Sequence, residues 1–336
     1  MPKVDSRVMR LLSLMFVVAV VSGCNSSAPS TPTAPTPPPT PPPVVVVPDP
    51  PTVVCPSAVS STTTGTALAV SYTTPSAEGG QAPVTVACAP ASGSTFPIGA
   101  NEVRCTATDS LNRSASCVFG VTVSRLATIS KTKFLAFGDS ITVGTVSTLN
   151  PSGDPPYINT DVPGASYPTV LRQLLAARYA SQAITMINEG KGGERAVDGV
   201  GRASSVFNAN RPEVALIMDG YNDLGAGEAG IDPAIAAIND MVKDARFRGA
   251  RVFVATLTPP PVNVNRGISN TTIVRFNDKL KIMARGENAV LVDVYAAWAS
   301  DPNRYNSADG RHPNEAGYRK IAETFFAAIQ AELEVK

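Results

Sequence analysis

The sequence predicts an α/β protein that carries a second, all-β domain: a small β-sandwich followed by a three-layer domain built on a parallel sheet. Three observations carry this expectation. From Lys133 to the C-terminus, near-continuous apolar runs alternate with amphipathic ones. Between about residues 52 and 124 the chain instead shows short β-branched runs broken by Gly, Pro and Ser, and the cysteines at 55, 88, 105 and 117 all fall in that region. With 336 residues, 43% of them apolar, the chain has enough material for two cores plus tails. Its 28 basic and 27 acidic residues leave a net charge of +1, so there is no electrostatic footprint for nucleic acid or an anionic membrane surface.

The N-terminus reads as an address. Lys3, Arg7 and Arg10 precede "LLSLMFVVAVV", an apolar run too short to span a bilayer as a mature helix. The run ends in "VSGC", which resembles the bacterial lipobox. That resemblance implies a signal peptide over residues 1–23 and acylation of Cys24. An ordinary signal peptide with an incidental cysteine is the alternative, but the small residues Ser22 and Gly23 and the polar low-complexity stretch that follows fit the lipoprotein reading. The expected product is an exported bacterial lipoprotein, held to a membrane by acyl chains alone and facing the periplasm or the cell exterior. Residues 24–51 combine this anchor with a Pro/Thr-rich linker, including "PTPPPTPPP", that favours extended polyproline II. At ~3.1 Å per residue, about 25 such residues would hold the body up to about 75 Å from the membrane.

Residues 52–124 contain "VVCPSAVS", "ALAVSYTTP", "VTVACAPASG", "NEVRCTATDS" and "CVFGVTVS", the alternation and turn spacing of a small antiparallel sandwich. Four cysteines in an exported chain imply two disulfides among Cys55, Cys88, Cys105 and Cys117. A zinc site fits less well, because no C-x2-C pair is present and the single histidine lies at position 312. Through "GGQAPVTVACAPASGSTFPIGANEVRCTATD" and "SCVFGVTV" the segment resembles a HYR (hyalin repeat) domain, an immunoglobulin-like module. The resemblance implies a spacer or an adhesive contact with cell-surface glycan or protein. Four cysteines allow three connectivities; Cys55 with Cys105 and Cys88 with Cys117 is the expected one.

After a linker at 125–132, residues 133–336 form the α/β domain. Expected strands are "KFLAFG", "AITMINEG", "EVALIMDG", "RVFVATL" and "AVLVDVY", apolar throughout as when both faces of a parallel sheet are covered. Expected helices include "YPTVLRQLLAARYA", "DPAIAAINDMVKDARFRG", "NTTIVRFNDKLKIMARG" and "NEAGYRKIAETFFAAIQAELE". Ligands of such sheets bind outside the carboxyl ends of the strands, so the informative residues should follow each run. They do: Gly138-Asp139-Ser140 follows the first, "NEGKGGE" with Gly193 the second, and Gly220-Tyr221-Asn222-Asp223 the third, while "DGRHP" with Asp309 and His312 precedes the last helix. In this order the four blocks resemble those of the GDSL/SGNH hydrolases, a superfamily of serine esterases and lipases. The resemblance spans Lys133 to the C-terminus and implies a flavodoxin-like sheet and ester hydrolysis without metal or organic cofactor.

The chemistry agrees. Acyl transfer needs a nucleophile, a base, a group that orients the base, and donors for the oxyanion. Ser140 is the candidate nucleophile; a strand-end serine is more often a turn or cap residue, but that reading leaves His312 unexplained. A neutral imidazole suits general base catalysis near neutral pH, and Asp309, three residues earlier, can fix its tautomer. The expected oxyanion donors are the Ser140 N–H, the Gly193 N–H and the Asn222 side-chain amide, because a glycine lets backbone approach a ligand closely. Gly190 and Gly192 compete for the second role; the resemblance favours Gly193, five residues after Asn188.

Two further glycine patterns are set aside. "GAGEAG" at 225–230 begins too far beyond its strand for a dinucleotide turn, and "GKGG" lacks the spacing and ending of a P-loop. "TVSTLNPSGDPPYINTDVPGASYP" is long for a connection and is read as a loop on the rim of the substrate site. The expectation is a lipid-anchored serine esterase acting on carboxylic esters, with short acyl chains favoured by the resemblance. Acetylated carbohydrate, peptidoglycan O-acetyl groups, lipid esters and small esters all stay open. The rival is a surface binding protein with an inactive hydrolase fold.

Overall fold

Residues 46–262, 268–298 and 301–335 are described in the computed structural model. The proposed signal segment and Cys24 lie outside the described residues. Two separate hydrophobic cores organise the rest, one for each domain.

The first core belongs to a β-rich body between Thr52 and Arg125. Its principal sheet orders Val59–Thr63, Ser114–Arg125, Gly99–Thr108 and Thr85–Ala89 side by side. The last two neighbour pairs are antiparallel, whereas Val59–Thr63 runs parallel to Ser114–Arg125, a departure from the purely antiparallel sheet expected. Alternation along Ser114–Arg125 buries Phe119, Val121 and Val123 and exposes the residues between them, the period-two signature of a sheet covered on one face. Ala67–Ala69 pairs with Thr95–Pro97 as a smaller sheet, and its Leu68 and Phe96 join the same core.

Disulfides link Cys55 to Cys117 and Cys88 to Cys105, which corrects the expected Cys55–Cys105 and Cys88–Cys117 pairing. The reason is lateral. Cys88, Cys105 and Cys117 occupy matching positions on three adjacent strands, so Cys88 faces Cys105 at a Cα separation of 4.0 Å. Cys117 lies two strand spacings from Cys88, roughly 9–10 Å, beyond the reach of a disulfide. It bridges Cys55 instead, at 5.6 Å. Two disulfides mark a chain that matures outside the reducing cytoplasm. No helix among the described residues is long and apolar enough to cross a membrane.

The second core belongs to the α/β domain. Its sheet contains β1 (Lys133–Gly138), β2 (Thr185–Gly190), β3 (Val214–Met218), β4 (Arg251–Ala255) and β5 (Val290–Val292), all parallel in the order β2-β1-β3-β4-β5. That is the flavodoxin-like order. All five expected strands form, and every residue of β3 is buried. The expected helices appear as α1 (Tyr167–Arg178), α3 (Ile231–Phe247), α4 (Asn270–Gly286) and α5 (Glu315–Leu333). Helix α1 packs on α5, while α3 packs on α4 and on α2 (Ala196–Asn210); these two groups flank the sheet as the outer layers. Helix α2 was not anticipated.

Two connections differ from expectation. The segment after Ser140 is not an irregular loop: Thr145–Leu149 and Tyr157–Asp161 pair as an antiparallel hairpin. Within the stretch read as linker, Thr128–Ile129 pairs with Glu334–Val335, and the Gln182 side chain clasps both the N–H and the C=O of Ile129, at 2.7 and 2.9 Å.

Candidate active site

In a sheet of this order the chain direction switches between β1 and β3, and the crevice opens there at the carboxyl ends. Gly138 ends β1 beside Met218 of β3, so close that a Cβ on Gly138 would stand 1.9 Å from the Met218 carbonyl oxygen. Asp139 then caps a single helical turn, Ser140–Val143, its Oδ1 accepting the Ile141 N–H at 2.9 Å. The cap holds Ser140 at the first position of that turn. Its backbone N–H has no intrahelical partner there, as at any helix start.

The partners of Ser140 come from the other end of the chain. Its Oγ lies 2.9 Å from His312 Nε2, and His312 Nδ1 lies 2.6 Å from Asp309 Oδ2. A carboxylate accepts, so Nδ1 carries the proton and Nε2 presents its lone pair to the serine hydroxyl. Asp309 also holds the loop in shape, because its Oδ1 accepts the backbone N–H groups of Arg311 and His312, each at 3.0 Å. Burial alone would raise the Asp309 carboxyl; the His312 ring and the two backbone donors outweigh it and hold the group below its ordinary range. Asn314 accepts the Gly317 N–H and starts α5 directly after this loop.

The expected oxyanion donors lie on the loops after β2 and β3. Gly193 adopts φ 74°, a left-handed conformation that glycine takes at no steric cost. Gly190 is withdrawn from the competition, since its N–H is bonded to Asn188 Oδ1 at 3.0 Å. The Asn222 side-chain amide donates one hydrogen to the Glu194 carbonyl at 2.9 Å, which seats it beside Gly193 and leaves its second hydrogen available. Asp223 next to it accepts the Ala196 N–H at 2.7 Å, capping α2 from a different loop. Asn188 donates to the Thr142 carbonyl at 2.9 Å and so joins strand β2 to the turn that carries Ser140. The structure therefore brings Ser140, His312 and Asp309 into one hydrogen-bonded chain and ties Asn222 to the Gly193 loop.

Beneath these groups lies an acidic layer that the sequence did not single out as functional. Asp139 and Asp219 follow the matched pair Gly138 and Met218 on adjacent strands, and both are buried. Burial pushes Asp139 up to about 6, against the lowering effect of the Ile141 N–H and the nearby His312 ring. Burial, and then the Asp139 charge, raise Asp219 well above its ordinary value. One Asp219 oxygen accepts the Gly220 N–H at 2.7 Å, and the other is buried without a partner among the described residues. Glu194, also buried, is held below its usual range: desolvation opposes this, but Arg202 and Lys191 bond to its carboxylate and prevail. The Arg202 guanidinium stacks 4.0 Å from the Phe137 ring centroid. Such ties join residues far apart in sequence and leave no local signature.

The remaining sequence motifs fall into place around this site. "GAGEAG" lies within the 3-10 helix Asp223–Gly230. The hairpin is fixed to the histidine loop, where Ala308 N–H donates to the Ser147 carbonyl at 3.1 Å, and to α5, where the Tyr318 hydroxyl donates to the Thr145 carbonyl at 2.6 Å. Among the described residues no cluster of three His, Cys, Asp or Glu is arranged to hold a metal ion.

Comparison with known proteins agrees with the fold and the division into two domain types. The HYR domain profile matches residues 42–123. A GDSL lipase of Mycobacterium tuberculosis is 29% identical over 167 residues, which is 48% of this chain and 71% of that protein. A multidomain esterase of Ruminococcus flavefaciens is 24% identical over 127 residues, 37% of this chain and 16% of the esterase. Among solved structures, a lipase/acylhydrolase from Enterococcus faecalis shares the fold, with a TM-score of 0.50, 21% identity, and coverage of 61% of this chain and 98% of that one. The profile of the GDSL-like lipase/acylhydrolase family matches residues 136–320, more than half of the sequence, and the chain belongs to that family.

Proposed function

We propose that this acylhydrolase cleaves carboxylic esters through a Ser-His-Asp triad and an acyl-enzyme. His312 Nε2 takes the Ser140 proton as Oγ attacks the ester carbonyl, Asp309 stabilises the imidazolium, and the oxyanion is received by the Ser140 N–H, the Gly193 N–H and the Asn222 amide. His312 then returns the proton to the departing alcohol. Water, activated by the same histidine, attacks the acyl-serine and releases the acid. The observation that carries this reading is the unbroken chain from Ser140 Oγ through His312 to Asp309, at 2.9 and 2.6 Å. Short acyl groups, including acetyl groups on carbohydrate, are the proposed substrates.

The lipobox-like "VSGC" supports acylation of Cys24 after removal of residues 1–23, so that the protein works outside the cytoplasm on a lipid anchor. The HYR-like domain over 52–124 then serves as a spacer or as a contact with surface glycan or protein, and residues 133–336 carry the hydrolase. The deciding experiment is Ser140→Ala assayed on a chromogenic acetyl ester. Turnover should disappear while the fold persists; a variant as active as the wild type would remove Ser140 from the mechanism. A panel of esters from acetate to long-chain acyl groups tests the chain-length reading, which fails if the rate rises with length.

A further inference from the structure

Between Asp309 and His312 lies a cation with no structural counter-ion. Arg311 is exposed, and among the described residues its guanidinium makes no hydrogen bond and no ion pair. The other cations near the glycine loop have carboxylate partners: Lys191 pairs with Glu194, Arg202 with Glu194 and Glu189, and Arg195 with Asp198. Arg311 is nevertheless held in place. Its own N–H is bonded to Asp309 Oδ1 at 3.0 Å, and its Cζ lies 6.0 Å from the centroid of the Tyr221 ring, within range of a cation–π contact. Tyr221 is buried between Gly220 and Asn222, so the guanidinium stands over the residue next to the proposed oxyanion donor and on the loop of the proposed base.

We infer that Arg311 is a specificity-determining residue, and that the natural ester carries a carboxylate on its alcohol half. This rests on the proposed roles of Ser140 and His312. In that mechanism the departing alcohol lies against His312, which protonates it, while the oxyanion points away toward Gly193 and Asn222. A substituent on the alcohol therefore extends along the loop that presents Arg311, and a planar guanidinium pairs with a carboxylate through two parallel hydrogen bonds.

The test compares two acetyl esters with the same acyl group, para-acetoxybenzoate and the neutral para-acetoxybenzamide. The measured quantity is the ratio of their kcat/KM values in the full mature chain, in Arg311→Gln and in Arg311→Lys. Differences in intrinsic reactivity cancel when one ratio is compared across variants. The ratio should fall roughly three- to tenfold in Arg311→Gln, the scale of a partly screened ion pair, and Arg311→Lys should restore most of it. Raising the salt should lower the wild-type ratio and leave the Arg311→Gln ratio flat. A ratio unchanged in Arg311→Gln, or equal losses on both esters, would overturn the assignment while ester turnover that depends on Ser140 still stands. A wild-type protein that cleaves neither ester would instead overturn the proposed function, and this inference with it.

Discussion

Replacing Asp309 with asparagine should abolish almost all activity through one proton. The two oxygens of Asp309 face different donors: Oδ1 receives the N–H groups of Arg311 and His312, and Oδ2 receives the His312 ring at Nδ1. An asparagine keeps both backbone bonds only if its carbonyl takes the Oδ1 place. The opposite rotamer would aim an amide donor at two backbone donors and lose two hydrogen bonds, each worth about 1 kcal/mol. The amide nitrogen therefore faces Nδ1, which must become the acceptor, and the ring proton moves to Nε2. Ser140 Oγ then meets an N–H where it needs a lone pair, and the base is lost although every heavy atom keeps its place.

The equivalent change in a serine protease triad lowers kcat about 10⁴-fold, which corresponds to about 5.4 kcal/mol in the barrier. The same size of loss is expected here. The chain holds a single histidine, so the only two imidazole ¹⁵N signals of protein lacking a histidine tag belong to His312 and report its tautomer directly. Wild type should carry the proton on Nδ1 and Asp309→Asn on Nε2, with kcat for an acetyl ester falling in parallel. A variant within tenfold of wild type would refute the reasoning, and so would lost activity with an unchanged tautomer.

Three further outcomes are expected. Asn222→Ala should slow ester turnover on the order of 10²- to 10³-fold, the usual loss for one oxyanion donor, while Ser140 still reacts with a fluorophosphonate; an undiminished rate would move that role elsewhere. A chain starting at Leu126 keeps the strand formed by Thr128–Ile129 and the Gln182 clasp and retains none of the cysteines, so it should hydrolyse a soluble ester as fast as the full chain and be indifferent to reductant. If it folds without activity, the division at 125–132 is wrong. Asp219→Asn should raise Tm most at neutral and alkaline pH. A buried carboxyl raised above its unfolded value of 3.8 binds its proton more tightly when folded, so wild type loses stability as pH climbs from that value toward the folded one, and asparagine does not. Calorimetry showing an equal gain at pH 3 and pH 8 would contradict this.

The sheet was legible because burial on both faces writes each strand as an apolar run, and the candidate site residues could be proposed because a parallel sheet presents its ligands where those runs stop. What stayed hidden depends on lateral or distant neighbours. The cysteine partners follow from the order of strands across the sheet, which no spacing along the chain records. Helix α2 buries Ala196, Gly199, Ala203 and Phe207, a stripe of mainly small residues whose apolar periodicity is faint beside that of α3. A Cβ on Gly199 would come within 3.3 Å of Met241 Cε, so the same small residue that weakens the helical signal permits close packing. The carboxylates of the acidic layer, Asp139, Asp219 and Glu194, stood in the sequence, but their burial did not.

The hairpin after Ser140 changes how the site is held together. Expected as an irregular rim, it is bonded at Thr145 to Tyr318 of α5 and at Ser147 to Ala308, next to Asp309. Its first strand begins directly after the turn that carries Ser140, with only Gly144 between them. The proposed nucleophile and base stand 172 residues apart in sequence, yet the path between them through the hairpin is a few residues of backbone and two hydrogen bonds. On the opposite side, Asn188 ties strand β2 to the turn after β1, and Asn222 and Asp223 fasten the loops after β2 and β3 to one another. A displacement of about 1 Å at such a constellation can cost 10²-fold in rate, so a hairpin that sets the distance from Ser140 to His312 matters to turnover even if none of its side chains touches the substrate.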